Sequence, residues 1–315
     1  MSVKVSICSP AYNNVSEVER MLKSIYEQDY TDFEVNISDD STNEEIATVV
    51  KNYQKQYGEK QIRYVHNEKR LGHIINWNAP IRMAKGEYIK IMFSDDWFTD
   101  CKSLGKFVTM LDENPEASLA FCGSRQVMLA GSNAEGVKHL AKENVKDSYD
   151  RHASDAFIDG LRTDYRNLFL GNQIGTPSAS IYRRGTELSM FDEQSNWASD
   201  MFLYFELLKK SEKFAYTKAP LICVGVHENQ YTETFSERDE RIYNDYRYMY
   251  TKYQLQDSEN CRGYFTEQFI VKYHKGLQEA KALGISSGLY WKKWLAEQKE
   301  TVTCFVNARL KRISK

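Results

Sequence analysis

The chain has 315 residues, a length that suits one large domain or two smaller ones. Hydrophobic residues make up 42% of it, enough for a sizeable core, and 16 glycines with only 5 prolines exclude a collagen-like or low-complexity chain. The 42 Lys and Arg residues nearly balance the 44 Asp and Glu residues, giving a net charge of −2. This balance argues against a dedicated duplex-binding protein, so we expect no nucleic-acid partner.

Targeting and redox signals are also missing from the sequence. No basic stretch followed by an apolar one opens the chain, and no run of about 18 apolar residues predicts a membrane-spanning helix. The six cysteines are scattered and include no C-x-x-C pair, which is typical of reduced, mostly buried residues. We therefore expect a cytoplasmic globular protein.

Strand-like and helix-like patterns alternate along the first hundred residues. The predicted strands cover residues 3–8, 33–37, 62–65 and 88–93. The predicted helices cover about 16–28, 46–57 and 71–84. Ser9-Pro10 is predicted to stop the first strand, and Thr42-Asn43-Glu44-Glu45 reads as a capping box that opens the second helix. This order predicts an α/β fold with a mostly parallel sheet covered by helices on both faces.

The pattern weakens after residue 105. It predicts a loop or lid at 131–150 and helical structure from Tyr243 to the end, interrupted near Gly263 and Gly284. Further helices are predicted at 104–111 and 200–209, and further strands at 118–122, 179–182 and 221–226.

Polar clusters follow three of the first four predicted strands. They are Pro10-Ala11-Tyr12-Asn13-Asn14, Asp39-Asp40 and Asp95-Asp96. In an open parallel sheet, ligands bind outside the carboxyl ends of the strands. If the strands are parallel, these side chains converge on one crevice.

The adjacent carboxylates of Asp95 and Asp96 need compensation, because like charges repel and each loses solvation when buried. Mg²⁺ or Mn²⁺ would provide it, since these ions bind through one or two carboxylates together with water and phosphate oxygens. The alternative is a solvated helix N-cap. The chain lacks G-x-G-x-x-G, G-x-x-x-x-G-K-[ST], H-E-x-x-H and G-x-S-x-G, which disfavours dinucleotide-binding, P-loop, metalloprotease and serine-hydrolase functions.

Four motifs in order carry a resemblance to a known family. They are Val5-Ser6-Ile7-Cys8-Ser9-Pro10-Ala11-Tyr12-Asn13, Ile37-Ser38-Asp39-Asp40-Ser41-Thr42, the stretch from Gly72 to Gly86-Glu87-Tyr88-Ile89, and Phe93-Ser94-Asp95-Asp96. Together they resemble family 2 glycosyltransferases of the GT-A fold, closely over 3–125 and more loosely over 165–235. The resemblance implies a GT-A domain at 1–235, with a nucleotide-sugar-binding half at 1–125 and an acceptor-binding half at 126–235. A helical C-terminal region at 236–315 would follow.

The resemblance also implies roles for individual residues. Tyr12 would stack on the nucleoside base, and Asp39 would accept a hydrogen bond from the base, commonly from uracil N3–H. Asp96 and His227 would hold Mn²⁺ or Mg²⁺, and Asp200 would be the catalytic base. The implied donor-binding set is Pro10, Tyr12, Asn13, Asp39, Arg70, Gly72, Asn76 and Asp95, of which Asp95 would contact either ribose or the metal.

The implied reaction is an inverting transfer of a sugar from a nucleotide sugar, most simply a UDP-sugar, to an acceptor hydroxyl. The acceptor would belong to a surface polysaccharide or a lipid-linked oligosaccharide. The alternatives are a sugar nucleotidyltransferase and a catalytically degenerate GT-A binding or scaffold protein.

The chain departs from the family pattern at three positions. Phe93 replaces the first acidic residue of D-S-D-D, Trp77 replaces the arginine of A-R-N-x-G, and Ser199 stands where an acidic residue often precedes the base. The loss of the arginine puts one phosphate-neutralising charge in doubt, which Lys69, Arg70 or the metal could supply.

Residues 288–315 combine basic and apolar side chains at helical spacing. The seven basic residues are Lys292, Lys293, Lys299, Arg309, Lys311, Arg312 and Lys315. Such a helix can lie on an anionic membrane surface, which would place the protein peripherally on the inner face of the cell membrane. Alternatively, its apolar face docks on the protein itself.

Overall fold

A computed structural model describes residues 3–58, 61–129, 148–227, 230–236 and 238–299. The chain forms two compact units. The first comprises Met1–Tyr165, Asn172–Ser195 and Ser199–Phe235, and the second comprises Arg166–Gly171, Asn196–Ala198 and Ser236–Lys315. Among the residues so described, no helix is long and apolar enough to cross a membrane.

The first unit is built on one mixed sheet. Its strands are β1 (Val5–Ala11), β2 (Phe33–Asp39), β3 (Ile62–His66), β4 (Tyr88–Ile91), β5 (Asp96–Phe98), β6 (Leu119–Met128), β7 (Ser148–Arg151), β8 (Ser180–Arg183) and β9 (Phe214–Val226). Its helices are α1 (Val15–Tyr26), α2 (Glu45–Tyr57), α3 (His73–Arg82), α4 (Ser103–Asp112), α5 (Asp155–Thr163) and α6 (Ser199–Lys210).

The strand order is β3-β2-β1-β4-β8-β6-β9-β5, with β7 paired to β6. Strands β1, β2, β3 and β4 are parallel to one another. In contrast, β8 runs antiparallel to β4 and β6, and β5 runs antiparallel to β9. The predicted α/β class, with a GT-A-type sheet, helices on it and a helical C-terminal part, is confirmed. Because β1 to β4 are parallel, the polar residues that follow β1, β2 and β4 lie at one edge of the sheet.

The first strand is longer than predicted, because Pro10 does not stop it. β1 pairs with β4 only as far as Cys8, opposite Ile91, but it pairs with β2 as far as Ala11. Beyond Cys8 the strand has a partner on one side only, and a proline can stand where its missing N–H faces no neighbour. The strand therefore continues to Ala11, and Tyr12 follows directly at the edge of the sheet where the polar residues lie.

Two other local predictions are wrong. Thr42 does not cap α2, because its N–H donates to Asn13 Oδ1 at 3.0 Å, and Asn43 Oδ1 accepts from the N–H of Glu45 at 3.1 Å instead. The predicted loop at 131–150 includes part of β7, and residues 131–147 lie outside the described part of the chain.

The second unit is helical in its described part. It contains α7 (Glu240–Lys252), α8 (Glu259–Phe265) continuing as a π-helix (Thr266–Val271), α9 (Leu277–Ala282), and a helix, α10, at residues 287–299. Stacked aromatic pairs hold it together, with ring centroids 4.0 Å apart for Tyr246 and Phe269 and 4.3 Å apart for Tyr250 and Phe265. Gly263 lies inside α8, so the predicted interruption there is wrong. Residues 300–315 of the predicted basic helix lie outside the described residues.

Candidate active site

The carboxylate of Asp39, at the end of β2, is fully buried and engaged on both oxygens. Oδ1 accepts hydrogen bonds from the backbone N–H and hydroxyl of Ser41, and Oδ2 accepts from the Tyr64 hydroxyl at 2.6 Å. His66 Nδ1 lies 3.3 Å from Oδ2. Burial, followed by the bond to Asp39, raises the pKa of Tyr64, which keeps its hydroxyl protonated as a donor. The weak His66 contact is the one that a ligand N–H could most readily replace.

The neighbouring carboxylate of Asp40 closes the start of α3. It accepts from the backbone N–H of Leu71 at 3.0 Å and of Gly72 at 2.9 Å, and from Asn67 Nδ2 at 2.8 Å. The Gly72 N–H is therefore already occupied by the protein. Neither Asp39 nor Asp40 caps α2, which begins at Glu45 without a side-chain cap from either residue.

Tyr12 lies exposed at the end of β1, with 41% of its surface accessible. The guanidinium of Arg70 lies over its ring, 4.4 Å from the centroid. This cation–π contact covers one face of the ring and places an exposed positive charge at the same edge. Tyr12 and Arg70, predicted separately, are thus brought together.

The remaining residues of the predicted donor set at this edge differ in exposure. Asn13 is exposed, and its N–H donates to Ser41 Oγ at 2.8 Å. Pro10 and Asn76 are buried, and Asn76 Nδ2 donates to the Ala11 carbonyl at 3.2 Å. The structure gives Pro10 and Asn76 supporting positions behind the exposed residues.

Asn14 connects this edge to the acidic turn that follows β4. Its Nδ2 donates to Ser94 Oγ at 2.5 Å and to Glu17 Oε2 at 2.8 Å. Arg20 donates to the Asp95 carbonyl at 3.2 Å. Asn14 belongs to the polar cluster predicted after the first strand, but the sequence assigns it no role there, and Arg20 stands in no pattern that marks it.

Asp96 is 2% exposed, and its Oδ1 has no hydrogen-bond partner among the described residues. Thr176 Oγ1 lies 3.5 Å from Oδ2. Burial, and then the charge of Asp95, raises the pKa of Asp96 well above its usual range. The N-cap alternative for this pair fails, because β5 begins at Asp96 and the next helix begins only at Ser103.

His227 meets the acidic turn from the end of β9. Its Nε2 lies 3.7 Å from Asp95 Oδ2, and this contact raises the pKa of the imidazole. The approach is close because Gly225 packs on the turn: a Cβ there would lie 2.5 Å from the Asp95 carbonyl oxygen. β9 therefore delivers His227 to the pair only with glycine at position 225.

These residues fit a divalent cation of the Mg²⁺ or Mn²⁺ type. Asp96 has a buried carboxylate oxygen without a hydrogen-bond partner among the described residues, and the adjacent Asp95 contacts His227. Ions of this type need only one or two carboxylates from the protein. Among the described residues, no group of three or more His, Cys, Asp or Glu side chains is placed to hold a metal ion, so the protein would supply only one or two ligands. Water and substrate oxygens would have to complete the coordination.

Asp200 lies in the first turn of α6 and is partly buried. Its Oδ2 accepts from Asn172 Nδ2 at 2.6 Å, and its Oδ1 accepts from the N–H of Met201 at 2.8 Å. Asn172 escaped sequence reasoning, since it lies in an irregular stretch with no periodicity.

One short segment joins the surroundings of Asp200 and Asp96. Asn172 at its beginning contacts Asp200, and Thr176 at its end contacts Asp96. Between them the Gly175 carbonyl accepts from the Tyr204 hydroxyl at 3.1 Å. The predicted base and the predicted metal ligand are therefore linked through five consecutive residues.

An aromatic cluster lies beside the acidic turn. The ring of Trp77 lies 5.0 Å from that of Phe93, 5.2 Å from Phe191 and 6.4 Å from Tyr231, measured between centroids. The His73 ring lies 4.3 Å from Tyr231. Phe93 immediately precedes Ser94-Asp95-Asp96, so the cluster borders the candidate cation site.

Comparison with solved structures finds the same fold. S. aureus TarS in complex with UDP-GlcNAc matches with a TM-score of 0.61 at 15% identity, over 93% of this chain and 79% of that one. The mannosyltransferase PcManGT from Pyrobaculum calidifontis, in complex with GDP-Man and Mn²⁺, matches with a TM-score of 0.57 at 16% identity, over 98% and 80%.

Sequence relatives cover less of the chain. A Mycobacterium tuberculosis protein named "Uncharacterized protein MT1568" is 35% identical over 57% of this chain and 53% of its own length. The GalNAc(5)-diNAcBac-PP-undecaprenol beta-1,3-glucosyltransferase of Campylobacter jejuni is 33% identical over 30% of each chain. The chain thus spans about half or less of these curated relatives.

The sequence profile of glycosyl transferase family 2 matches residues 6–186, which is more than half of the chain. The match includes the ends of β1, β2 and β4, where part of the candidate site lies, but it stops before Asp200 and His227. With this profile and the GT-A-like fold in agreement, the chain belongs to glycosyl transferase family 2.

Proposed function

We propose that the protein transfers a sugar from a nucleoside-diphosphate sugar to an acceptor hydroxyl with inversion of configuration. The observation that carries this proposal is the pair of carboxylates at the two ends of the segment from Asn172 to Thr176. Asp96 has a buried oxygen without a partner among the described residues, and Asp200 is held as a hydrogen-bond acceptor. Displacement at a sugar carbon needs both kinds of group, one for the leaving diphosphate and one for the attacking hydroxyl.

The donor would lie along the edge formed by the ends of β1, β2 and β4. Tyr12 offers an exposed ring to the base, and Arg70 adds a positive charge for the phosphates. Asp96 and His227 would hold Mn²⁺ or Mg²⁺, and PcManGT, which shares the fold, is in complex with Mn²⁺. When bound, the cation would stabilise the charge that develops on the departing diphosphate, an effect worth several kcal/mol.

Asp200 would be the general base. Removal of the acceptor proton as the new bond forms contributes typically about 10²–10⁴-fold to the rate. Hydrogen bonds from Asn172 and Met201 orient this carboxylate, and donors of this kind favour the ionised form that can accept the proton.

We propose uracil as the base of the donor. Asp39 can accept the N3–H of uracil if His66 yields its place on Oδ2. TarS, which shares the fold, binds UDP-GlcNAc. Thermal-shift measurements with UDP, GDP and CDP, with and without Mn²⁺, would test this choice, since a ligand stabilises by RT ln(1 + [L]/Kd). A larger shift with GDP would overturn it.

For the acceptor we propose a saccharide of a surface polysaccharide or a lipid-linked oligosaccharide, which agrees with the undecaprenol-linked substrate in the name of the Campylobacter relative. Contact with the cytoplasmic face of the membrane would come through 288–315. In this stretch Trp291 and Leu295 are 47% and 52% exposed. Flotation with anionic vesicles tests it: Trp291→Ser with Leu295→Ser should reduce binding, and equal flotation would remove the idea.

The decisive assay for the reaction class is product release from a panel of nucleotide sugars. Release of a nucleoside diphosphate that depends on a divalent cation supports the transferase. Release of pyrophosphate would instead indicate a nucleotidyltransferase, and no release with any donor and acceptor would favour a binding or scaffold protein.

A further inference from the structure

The side-chain amide of Asn172 has an orientation that the backbone dictates. Its Oδ1 accepts from the N–H groups of Ile174 at 3.0 Å and Gly175 at 3.1 Å. Because two donors converge on the oxygen, the amide nitrogen must face the other way, toward Asp200. There Nδ2 donates to Asp200 Oδ2 at 2.6 Å, the shortest bond that Asn172 makes.

We propose that Asn172 is a positioning residue, which keeps Asp200 ionised and aims it from the same segment that contacts Asp96. This inference rests on the proposed function, in which Asp200 is the base. It assigns a role to a residue that neither touches the reacting atoms nor belongs to a recognised motif.

The physical basis is the donated hydrogen bond. A donor directed at a carboxylate favours its charged form, so Asn172 lowers the pH at which Asp200 becomes able to take a proton. Tyr204, on the same helix, is a titratable neighbour of Asp200 in the described part of the chain. Burial, and then the charge of Asp200, raises the pKa of Tyr204 well above its usual value, so this phenol stays protonated over the working range.

Gly175 and Thr176, in the same segment, connect Asn172 to the surroundings of Asp96. Gly175 has a φ of +90°, a conformation that residues with side chains rarely adopt. Its carbonyl is held by Tyr204 at 3.1 Å, and Thr176 follows with its contact to Asp96. The proposed base and the proposed cation site are therefore contacted by one short piece of chain.

The test is the pH dependence of transfer by Asn172→Ala. We expect kcat to fall about 10- to 100-fold and the ascending limb of the kcat profile to move to higher pH by about half a unit or more, because the charged form loses a donor. The affinity for the nucleoside diphosphate should stay within about twofold of the wild type. A merely structural role would lower activity at every pH without moving the limb.

A second variant, Asn172→Asp, gives an independent readout. A proton shared between the two carboxylates restores the donated bond, so the activity of this variant relative to Asn172→Ala should rise as the pH is lowered. Asn52→Asp, on the exposed face of α2, adds the same charge away from the site and should leave the profile unchanged. Thermal unfolding of each variant shows whether it is folded.

Two results together would overturn the inference. The ascending limb of the kcat profile would be at the same pH in Asn172→Ala as in the wild type, and the ratio of the activities of Asn172→Asp and Asn172→Ala would be constant across pH. Failure of the proposed function looks different: the wild type would release no nucleoside diphosphate, or Asp200→Asn would remain active. The two failures can therefore be told apart with the same assay.

Discussion

The rings of Trp77 and Phe93 pack against each other with their centroids 5.0 Å apart. These are two positions at which the chain replaces charged residues of the family pattern, an arginine at 77 and an aspartate at 93. Since an aromatic residue stands at both positions, neither change leaves an unpaired charge beside the other. The two positions that depart from the family pattern are therefore in contact with each other, at the border of the candidate cation site.

This pairing can be tested with a double-mutant cycle. Trp77→Arg or Phe93→Asp alone should lower the free energy of unfolding by about 2 kcal/mol or more, because each places a lone charge among half-buried rings. The double variant should recover at least about 1 kcal/mol through the new ion pair. Urea unfolding gives the free energy of unfolding of each of the three variants relative to the wild type. Strictly additive losses would show that the two positions are independent.

Asp200→Asn removes the proposed base but keeps the size of the side chain. Transfer should fall about 10²-fold or more, and donor affinity should stay within about twofold, since the residue acts on the acceptor hydroxyl. Calorimetry with the donor and a transfer assay measure the two effects. Asp159→Asn on the exposed face of α5 is the matched control. Donor affinity lost in step with activity would contradict the role.

Asp96→Asn should separate stability from function. Burial raises the pKa of Asp96, so its ionised form at neutral pH costs folding free energy, and the neutral amide should raise the melting temperature measured without metal. The same variant should lose the divalent-dependent part of donor binding. A variant that keeps its metal dependence would remove Asp96 from the cation site.

Lys90 on β4 is fully buried, and its ammonium donates to the carbonyls of Ile91, at 2.9 Å, and Ser178. Burial lowers its pKa from 10.5 to about 7. The unfolded chain therefore binds more protons between pH 7 and about 10, so this lysine makes stability rise with pH across that window.

Lys90→Met should remove that contribution. The stability of the variant minus that of the wild type should be most favourable at pH 7 and should decline toward pH 10, as measured by urea unfolding at each pH. Lys85→Met, at an exposed position, should show a difference that does not vary with pH. A flat difference for Lys90→Met would mean that Lys90 keeps its ordinary pKa in the folded protein.

The parallel half of the sheet could be predicted from sequence because each strand is a separate apolar run between helical repeats. The edge holding Tyr12, Asp39 and Asp95 follows from that order alone. The meeting of Asp95 with His227 is different, since it depends on the antiparallel pairing of β5 with β9, which no local pattern marks.

Errors in the sequence interpretation have the same origin. Thr42 has the right spacing for a capping box, but its N–H donates to the side chain of Asn13, which follows β1. Asn172 sits in irregular chain, where periodicity gives no information. In each case a contact between distant residues decides the outcome, whereas the sequence displays only near neighbours.

The tight fit of Gly225 against the Asp95 carbonyl limits how this protein could be redesigned. Even a methyl group at 225 would push β9 away from the acidic turn and carry His227 with it. Engineering of the proposed metal site should therefore vary the side chain at 227 and leave β9 unchanged. A new ligand side chain would then occupy the position that the imidazole has now.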